Sequence, residues 1–266
     1  MIERTRYFDE FLFYFDKAKE QQELCNLGTV PHLGCGIEDD LMENVQLYDV
    51  VERKYAGFGQ ILQDVFWGWT SDHPYWEQMK AGKAHQQRQF VANLWTKSSY
   101  DLEEWAFIFL VHRITGSAIN YSQNPSGYHN TVLPWLMHGE TIEEMVDVFM
   151  TAEQELKIKR FTSIGYQFPQ FPKPPEGYKL GGEYYMDMFA PKLCRDFVKW
   201  LVKGPRKTFR EMGTFALDWN VKHGLKRYHF QYAAWVADFA DFFPEYVEVE
   251  SPFYYGTNAV ERLSYL

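Results

Sequence analysis

Residues 105–135 read WAFIFLVHRITGSAINYSQNPSGYHNTVLPW, and the fold class turns on the first part of this stretch. Seven uncharged apolar residues, 105–111, run straight into His112 and Arg113, the pattern of a helix buried on most of its faces. The run is about a third of the roughly 20 residues that a membrane-spanning helix needs. Burying an unpaired guanidinium costs several kcal/mol, so Arg113 must meet an anion. That anion is either a carboxylate elsewhere in the chain or a phosphate or carboxylate of a ligand, which the planar donor fork of arginine suits. Thr115, Ser117 and Asn120 add uncharged hydrogen-bonding groups nearby, and the loop 122–130 offers Tyr128, His129 and Asn130 to a cleft.

Outward from this stretch the same periodicity recurs. In 4–24, Phe8, Phe11, Leu12, Phe15 and Ala18 form an i, i+3, i+4, i+7 stripe that Gly28 and Pro31 then stop. Similar spacing predicts helices over 38–54, 59–67, 75–95, 101–116, 141–156, 190–203, 206–223 and 227–243, several opened by Asp, Ser or Thr and closed by Gly or Pro. Strict alternation is nearly absent, so the expected fold class is all-α. Residues 165–182 change to Gly, Pro, Tyr and Phe, an irregular loop that either separates two helical subdomains or lies over a cleft. A single all-α unit over 1–266 is the expected organisation.

With 46% hydrophobic residues and a mean hydropathy of −0.42, the chain can bury a core without being a membrane or disordered protein. It opens MIERTR with no apolar export segment, and its three cysteines, Cys25, Cys35 and Cys194, include no CxxC pair. The expectation is therefore a cytoplasmic protein with no membrane role and no disulfide framework. Aromatic residues make up 18% of the chain, and their helical spacing among aliphatics points to a core of large rings more than to base stacking.

Charge is uneven. Residues 192–227 hold ten basic and three acidic side chains, a net +7 within a chain of net −9, so the remainder carries −16. Lys192, Arg195, Lys199 and Lys203 share one helix face, and the Gly204-Pro205 break places Arg206, Lys207 and Arg210 at a helix junction. Such a stripe is either a solvated face or a phosphate-binding surface on a chain too acidic for indiscriminate adhesion to polyanions. Lys199, Lys203, Arg206, Lys207 and Arg210 are the candidate DNA-phosphate contacts.

Toward the C-terminus, Tyr232, Trp235, Val236, Phe239 and Phe242 form an apolar face, and Asp238 and Asp241 stand three residues apart. Asp238 in such surroundings is either a general base, or a carboxylate that faces solvent or pairs with Arg113 or the basic segment. The segment SPFYYGTNA, 251–259, places Gly256 before a last short helix whose N–H groups would take an anion, or serve as a plain cap. No phosphate loop, Rossmann fingerprint, HExxH, GxSxG elbow or EF-hand loop is present. His129 and His138 are the pair of interest among eight scattered histidines, and no metal is expected.

Three blocks, WAFIFLVHRITGSAIN, then FQYAAWVADF after the basic segment, then SPFYYGTNAVERL, occur in an order that resembles the helical domain of phage thymine-hypermodification proteins. These are the alpha-glutamyl/putrescinyl-thymine pyrophosphorylases, or amino acid:DNA transferases, to which the helical 5-hydroxymethyluracil DNA kinases are related. The resemblance covers roughly 102–266, leaving 1–101 as an unassigned helical part, and Arg113, Asp238 and Gly256 fall at its marked positions. Its turn here reads YYGTNA where the family has a GPGA-like turn, and Phe239 follows the aspartate where the family has leucine.

The resemblance implies a DNA-glycosylase-like fold in which a thymine base of bacteriophage DNA, flipped from the helix, is modified. Transferase members replace the pyrophosphate of 5-pyrophosphoryloxymethyl-deoxyuridine with an amino acid or polyamine; kinase members phosphorylate the hydroxymethyl group; a non-catalytic DNA-binding module is the further alternative. For a transferase no cofactor beyond the amine is implied. Displacement needs donors on the leaving group, a base for the amine proton and exclusion of water. On that reading Arg113 meets the leaving group, Asp238 is the base, and Asn120 and His129 orient the nucleobase. His112, Tyr128, Trp135, Tyr254, Tyr255, Gly256 and Asn258 line the substrate pocket, with Trp135, Tyr254 and Tyr255 as stacking partners.

Overall fold

The computed structural model describes residues 100–115, 132–155, 171–226 and 230–248, together with Phe8, Asp9, Leu12, Phe13, Asp16, Leu62, Val65 and Phe66. Helices take up 74% of these residues and only a two-stranded sheet accompanies them, an all-α fold. The chain divides into two compact units, one of Met1–Gln86 with Tyr255–Leu266 and the other of Gln87–Tyr254. The loop 165–182 therefore falls inside the second unit and does not divide the chain.

In the first unit, the described positions between 8 and 16 and between 62 and 66 are helical, inside the helices expected at 4–24 and 59–67. Leu62 and Val65 are buried, whereas Leu12, expected on the apolar stripe, is 38% exposed. The helices expected at 38–54 and 75–95 lie outside the described residues.

The second unit is built around helix α1, Leu102–Thr115. Asp101 starts it: its Oδ1 accepts from the Glu103 and Glu104 amides at 2.8 and 3.2 Å, while Glu104 Oε2 accepts from the Asp101 amide at 2.8 Å. This reciprocal cap satisfies donors that the first helical turn otherwise leaves unpaired. From Trp105 onward every residue of α1 is buried except the partly exposed Arg113, as a helix apolar on all sides requires.

Helices α2, Val132–Leu136, and α3, Ile142–Glu155, follow; then α4, Gly181–Met188, and α5, Ala190–Leu201. Helix α6, Phe209–Lys222, and α7, Phe230–Phe242, complete the bundle. Helices α5 and α7 both pack on α1, and α6 packs on α7. Rings fill the space between them. Phe107, Phe109, Phe149, Phe197, Trp235 and Phe239 are fully buried, with Phe197 and Trp235 4.7 Å apart between centroids. Ring pairs at such separations add roughly 0.5–1.5 kcal/mol beyond the area they bury.

The expected helix bounds agree with α1, α3, α5, α6 and α7 to within a few residues. Helix α4 begins in the last two residues of the stretch expected to be irregular and runs on through residues for which no helix was expected. Its two opening glycines look like breakers, yet Glu183 reaches back to accept from the Lys179 and Leu180 amides at 2.6 and 2.9 Å, closing the first turn. Gly181 itself is fixed by crowding, because a Cβ there would lie 2.4 Å from the Pro172 carbonyl oxygen.

After α5, Gly204 turns the chain at φ +82°, and residues Lys207–Thr208 form strand β1. It pairs in parallel with β2, Val247–Glu248, joining the junction before α6 to the chain beyond α7. Two-residue strands carry no alternation to read. Thr208 then caps α6, accepting from the Glu211 amide at 3.2 Å while Glu211 Oε2 accepts from the Thr208 amide at 2.8 Å.

Candidate functional site

Helices α1 and α7 bring Arg113 and Asp238, 125 residues apart in sequence, into direct contact. The guanidinium donates from Nε to Asp238 Oδ2 and from Nη2 to Oδ1, the second bond at 2.6 Å. The arginine side chain is 8% exposed and the aspartate 1%. The guanidinium has thus found a carboxylate of its own chain, the internal pairing that was one of the alternatives for both residues. A carboxylate whose two oxygens both accept from a guanidinium is engaged as its counterion. The arginine uses its Nε and Nη2 edge on this carboxylate, a fit its planar fork suits. The pair joins two helices.

The other expected site residues divide into three groups. His112 is fully buried within α1. A residue beside a partly exposed one on a buried helix faces a different direction, here into the core. Trp135 is half-buried and lies against His138, with centroids 5.4 Å apart and planes 22° from parallel, so one of its faces already carries a ring. Asn120, Tyr128, His129, Tyr254, Tyr255, Gly256 and Asn258 lie outside the described residues, as do Cys25 and Cys35.

The basic segment does gather at the α5–α6 junction. Lys199, Lys203, Arg206 and Arg210 are exposed and Lys207 is half-buried. Two of them also hold the junction together: Arg206 Nε donates to the Glu245 carbonyl oxygen at 3.0 Å, and Lys207 Nζ to the Lys203 carbonyl oxygen at 2.7 Å. Arg195, on the same expected stripe, instead turns to acids of α1 and α3, contacting Glu143 and, at 3.7 Å, Glu103. The hydrogen bond from Arg195 holds the Glu143 carboxyl below its usual range.

A group of residues not singled out from sequence stands beside this junction. Trp200 of α5 and Phe215 of α6 stack at 4.8 Å and 21°, both half-exposed, with Lys207 Nζ 5.2 Å from the Trp200 centroid. Trp219 donates through Nε1 to Asp196 at 2.8 Å and stacks on His223 at 3.8 Å. Phe215, Trp219 and Lys222 recur at helical spacing, a signal visible in α6, but their convergence with Trp200 belongs to the packing of two helices.

Two further clusters have perturbed protonation. Desolvation, followed by the hydrogen bond to Asp101, pushes Glu104 up to about 7, while that hydrogen bond pulls Asp101 down. In the unfolded chain Glu104 loses its proton near 4.5. Between that value and about 7 the folded state therefore binds the additional proton, and stability falls as pH rises through the window. Glu104→Gln keeps an acceptor for the Asp101 amide and is expected to flatten this fall; urea midpoints at pH 5 and pH 8 that decline equally in both proteins would refute the assignment. Burial pushes the Cys194 thiol and the Tyr185 hydroxyl up, the latter 2.7 Å from the Tyr232 hydroxyl. Cys194 is thus a core residue with little thiolate character.

Among the described residues no group of three His, Cys, Asp or Glu side chains is arranged to hold a metal, and no helix is long and apolar enough to cross a membrane. No family model, curated protein or solved structure matches the chain.

Proposed function

We propose that this protein acts on DNA as a transferase of the thymine-hypermodification class, exchanging the pyrophosphate of 5-pyrophosphoryloxymethyl-deoxyuridine for an amino acid or polyamine. The observation that carries the reading is that two blocks of the resemblance, the arginine helix and the aspartate helix, pack on each other and meet through the residues that mark them. The cationic α5–α6 junction adds a surface of the right sign on an acidic chain, with Lys199, Lys203, Arg206, Lys207 and Arg210 as phosphate contacts.

In this scheme Arg113 and Asp238 are positioning residues that fix α1 against α7. The amine nitrogen attacks the methylene carbon, the C–O bond to pyrophosphate breaks and the amine proton passes to a base. With Asp238 occupied, His129 is the expected site residue whose imidazole accepts a proton near neutral pH, and Asn120 orients the nucleobase. Tyr128, Tyr254, Tyr255, Gly256 and Asn258 complete the base pocket.

The test is direct. Purified protein is incubated with DNA carrying the pyrophosphorylated base and a mixture of amino acids and polyamines; released pyrophosphate and a heavier nucleoside by mass spectrometry are the expected products. No mass shift with any amine overturns the transferase reading. ATP consumption on 5-hydroxymethyluracil DNA would identify a kinase instead. The mutual neutralisation of Arg113 and Asp238 favours a second reading, a DNA-binding module without catalysis, which would bind DNA in a salt-sensitive manner and form no product.

A further inference from the structure

We infer that the cleft between α5 and α6 is a binding site for single-stranded nucleic acid, in which an unpaired base stacks on the Trp200–Phe215 surface and the adjoining phosphates lie on Lys207 and Lys222. The inference rests on the DNA-acting reading only for the choice of DNA as the polymer. The cleft encloses about 520 Å³, within the usual range of small-molecule pockets and ample for one nucleobase.

Its ring content sets it apart from the core. The unit buries Phe107, Phe109, Phe149, Phe197, Trp235 and Phe239 completely, yet leaves Trp200 and Phe215 half-exposed on a cleft that Trp219 also lines. Accessible rings beside cations are the combination that holds single strands, because every base has a face to stack and every nucleotide a phosphate to neutralise. Lys207 already lies over the Trp200 ring, so a cation and a stacking surface are supplied by neighbouring residues. Lys222 lines the cleft one helical turn beyond Asp218 and is exposed.

The carboxylates determine how a strand is oriented. Glu211 and Asp218 line the same cleft together with Arg210 and Lys222, so a phosphate is repelled by the two carboxylates and drawn to the cations. A base entering edge-first instead meets acceptors for its amino and imino hydrogens. Glu211 also accepts from the Thr208 amide and hydroxyl, which fixes its carboxylate at the start of α6. The surrounding segment keeps a net charge of +7 with both acids counted, complementary to a polyanion. An intact duplex presents no free base face to such a cleft.

The experiment measures binding of a fluorescently labelled, unmodified oligothymidylate of about twelve nucleotides and of a matching duplex, by anisotropy, between about 50 and 200 mM salt. The single strand is expected to bind at least tenfold more tightly than the duplex. Trp200→Ala should weaken the single strand roughly tenfold, as loss of one stacked base does, and change duplex binding less than twofold. Because Trp200 also packs against Phe197, the variant Lys207→Glu/Lys222→Glu, which reverses the cation over the Trp200 ring and one that lines the cleft, provides an independent arm. It is expected to weaken the single strand at least tenfold and to reduce the salt slope by about 1.4, two phosphates' worth.

Equal affinity for duplex and single strand, or single-strand affinity unchanged by the lysine variant, would overturn the proposal. So would polyglutamate of the same length competing as well as the oligonucleotide, which would indicate an acidic peptide surface. Neither modified base nor amine enters this measurement, so a failed transferase assay with intact single-strand binding removes only the reaction, and the reverse result removes only the cleft.

Discussion

Asp238→Asn is expected to lower the free energy of unfolding by about 3–5 kcal/mol, the cost of breaking a buried ion pair by neutralising one member. The substitution is nearly isosteric, so the loss arises from charge and hydrogen bonding. The Arg113 guanidinium, 8% exposed, loses the anion to which both Nε and Nη2 donate, and an amide offers one oxygen and an NH₂ group in place of two acceptor oxygens. The double variant Arg113→Met/Asp238→Leu removes both charges and should recover most of the loss, since a buried pair often contributes little over apolar side chains of similar volume. Urea denaturation of the three proteins provides the measurement. An unchanged midpoint for Asp238→Asn would contradict the structural role and return the aspartate to candidacy as a base, for which a loss of activity without a loss of stability is the signature.

How far this arrangement could be read from sequence depends on the residue. Arg113 within an apolar helix demanded an anion on energetic grounds alone, and an internal carboxylate was one of the two possible solutions. That the carboxylate is Asp238 follows from how α1 packs on α7, which spacing does not encode. The Gly204-Pro205 break located the α5–α6 junction, and the basic count of 192–227 located its charge, because glycine, proline and charge act locally. Arg195 shows the limit of a stripe: it shares a face with Lys199, yet acids brought in by α1 and α3 engage it. Helix α4 was hidden because its cap is a glutamate three residues beyond the N-cap position, reaching over two glycines. The Trp200–Phe215 surface was hidden for a different reason. Each ring lies on a separate amphipathic helix, where an aromatic side chain looks like core until the packing leaves its edge open.

Trp235→Ala is expected to destabilise the protein by about 3–5 kcal/mol, with Trp235→Phe closer to 1–2 kcal/mol. The indole is fully buried, its ring lies 4.7 Å from Phe197, and Nε1 donates to the Ala106 carbonyl oxygen in α1 at 2.8 Å. Alanine at this position leaves a cavity that helices on several sides would have to close together, and rigid helices collapse only partially. Phenylalanine retains an aromatic ring against Phe197 but loses the bond to Ala106 and part of the indole volume. The difference between the two variants thus separates ring packing from the polar link between α7 and α1. Both substitutions lie on the helix that carries Asp238, so combining Trp235→Phe with Asp238→Asn tests whether the contacts act as one seam. Losses that add would mean independent contacts, while a combined loss well away from the sum would show that the indole and the ion pair set the α1–α7 spacing jointly. Chemical denaturation of the four proteins measures this coupling, and a Trp235→Ala loss below about 1 kcal/mol would exclude the indole as a principal element of the core.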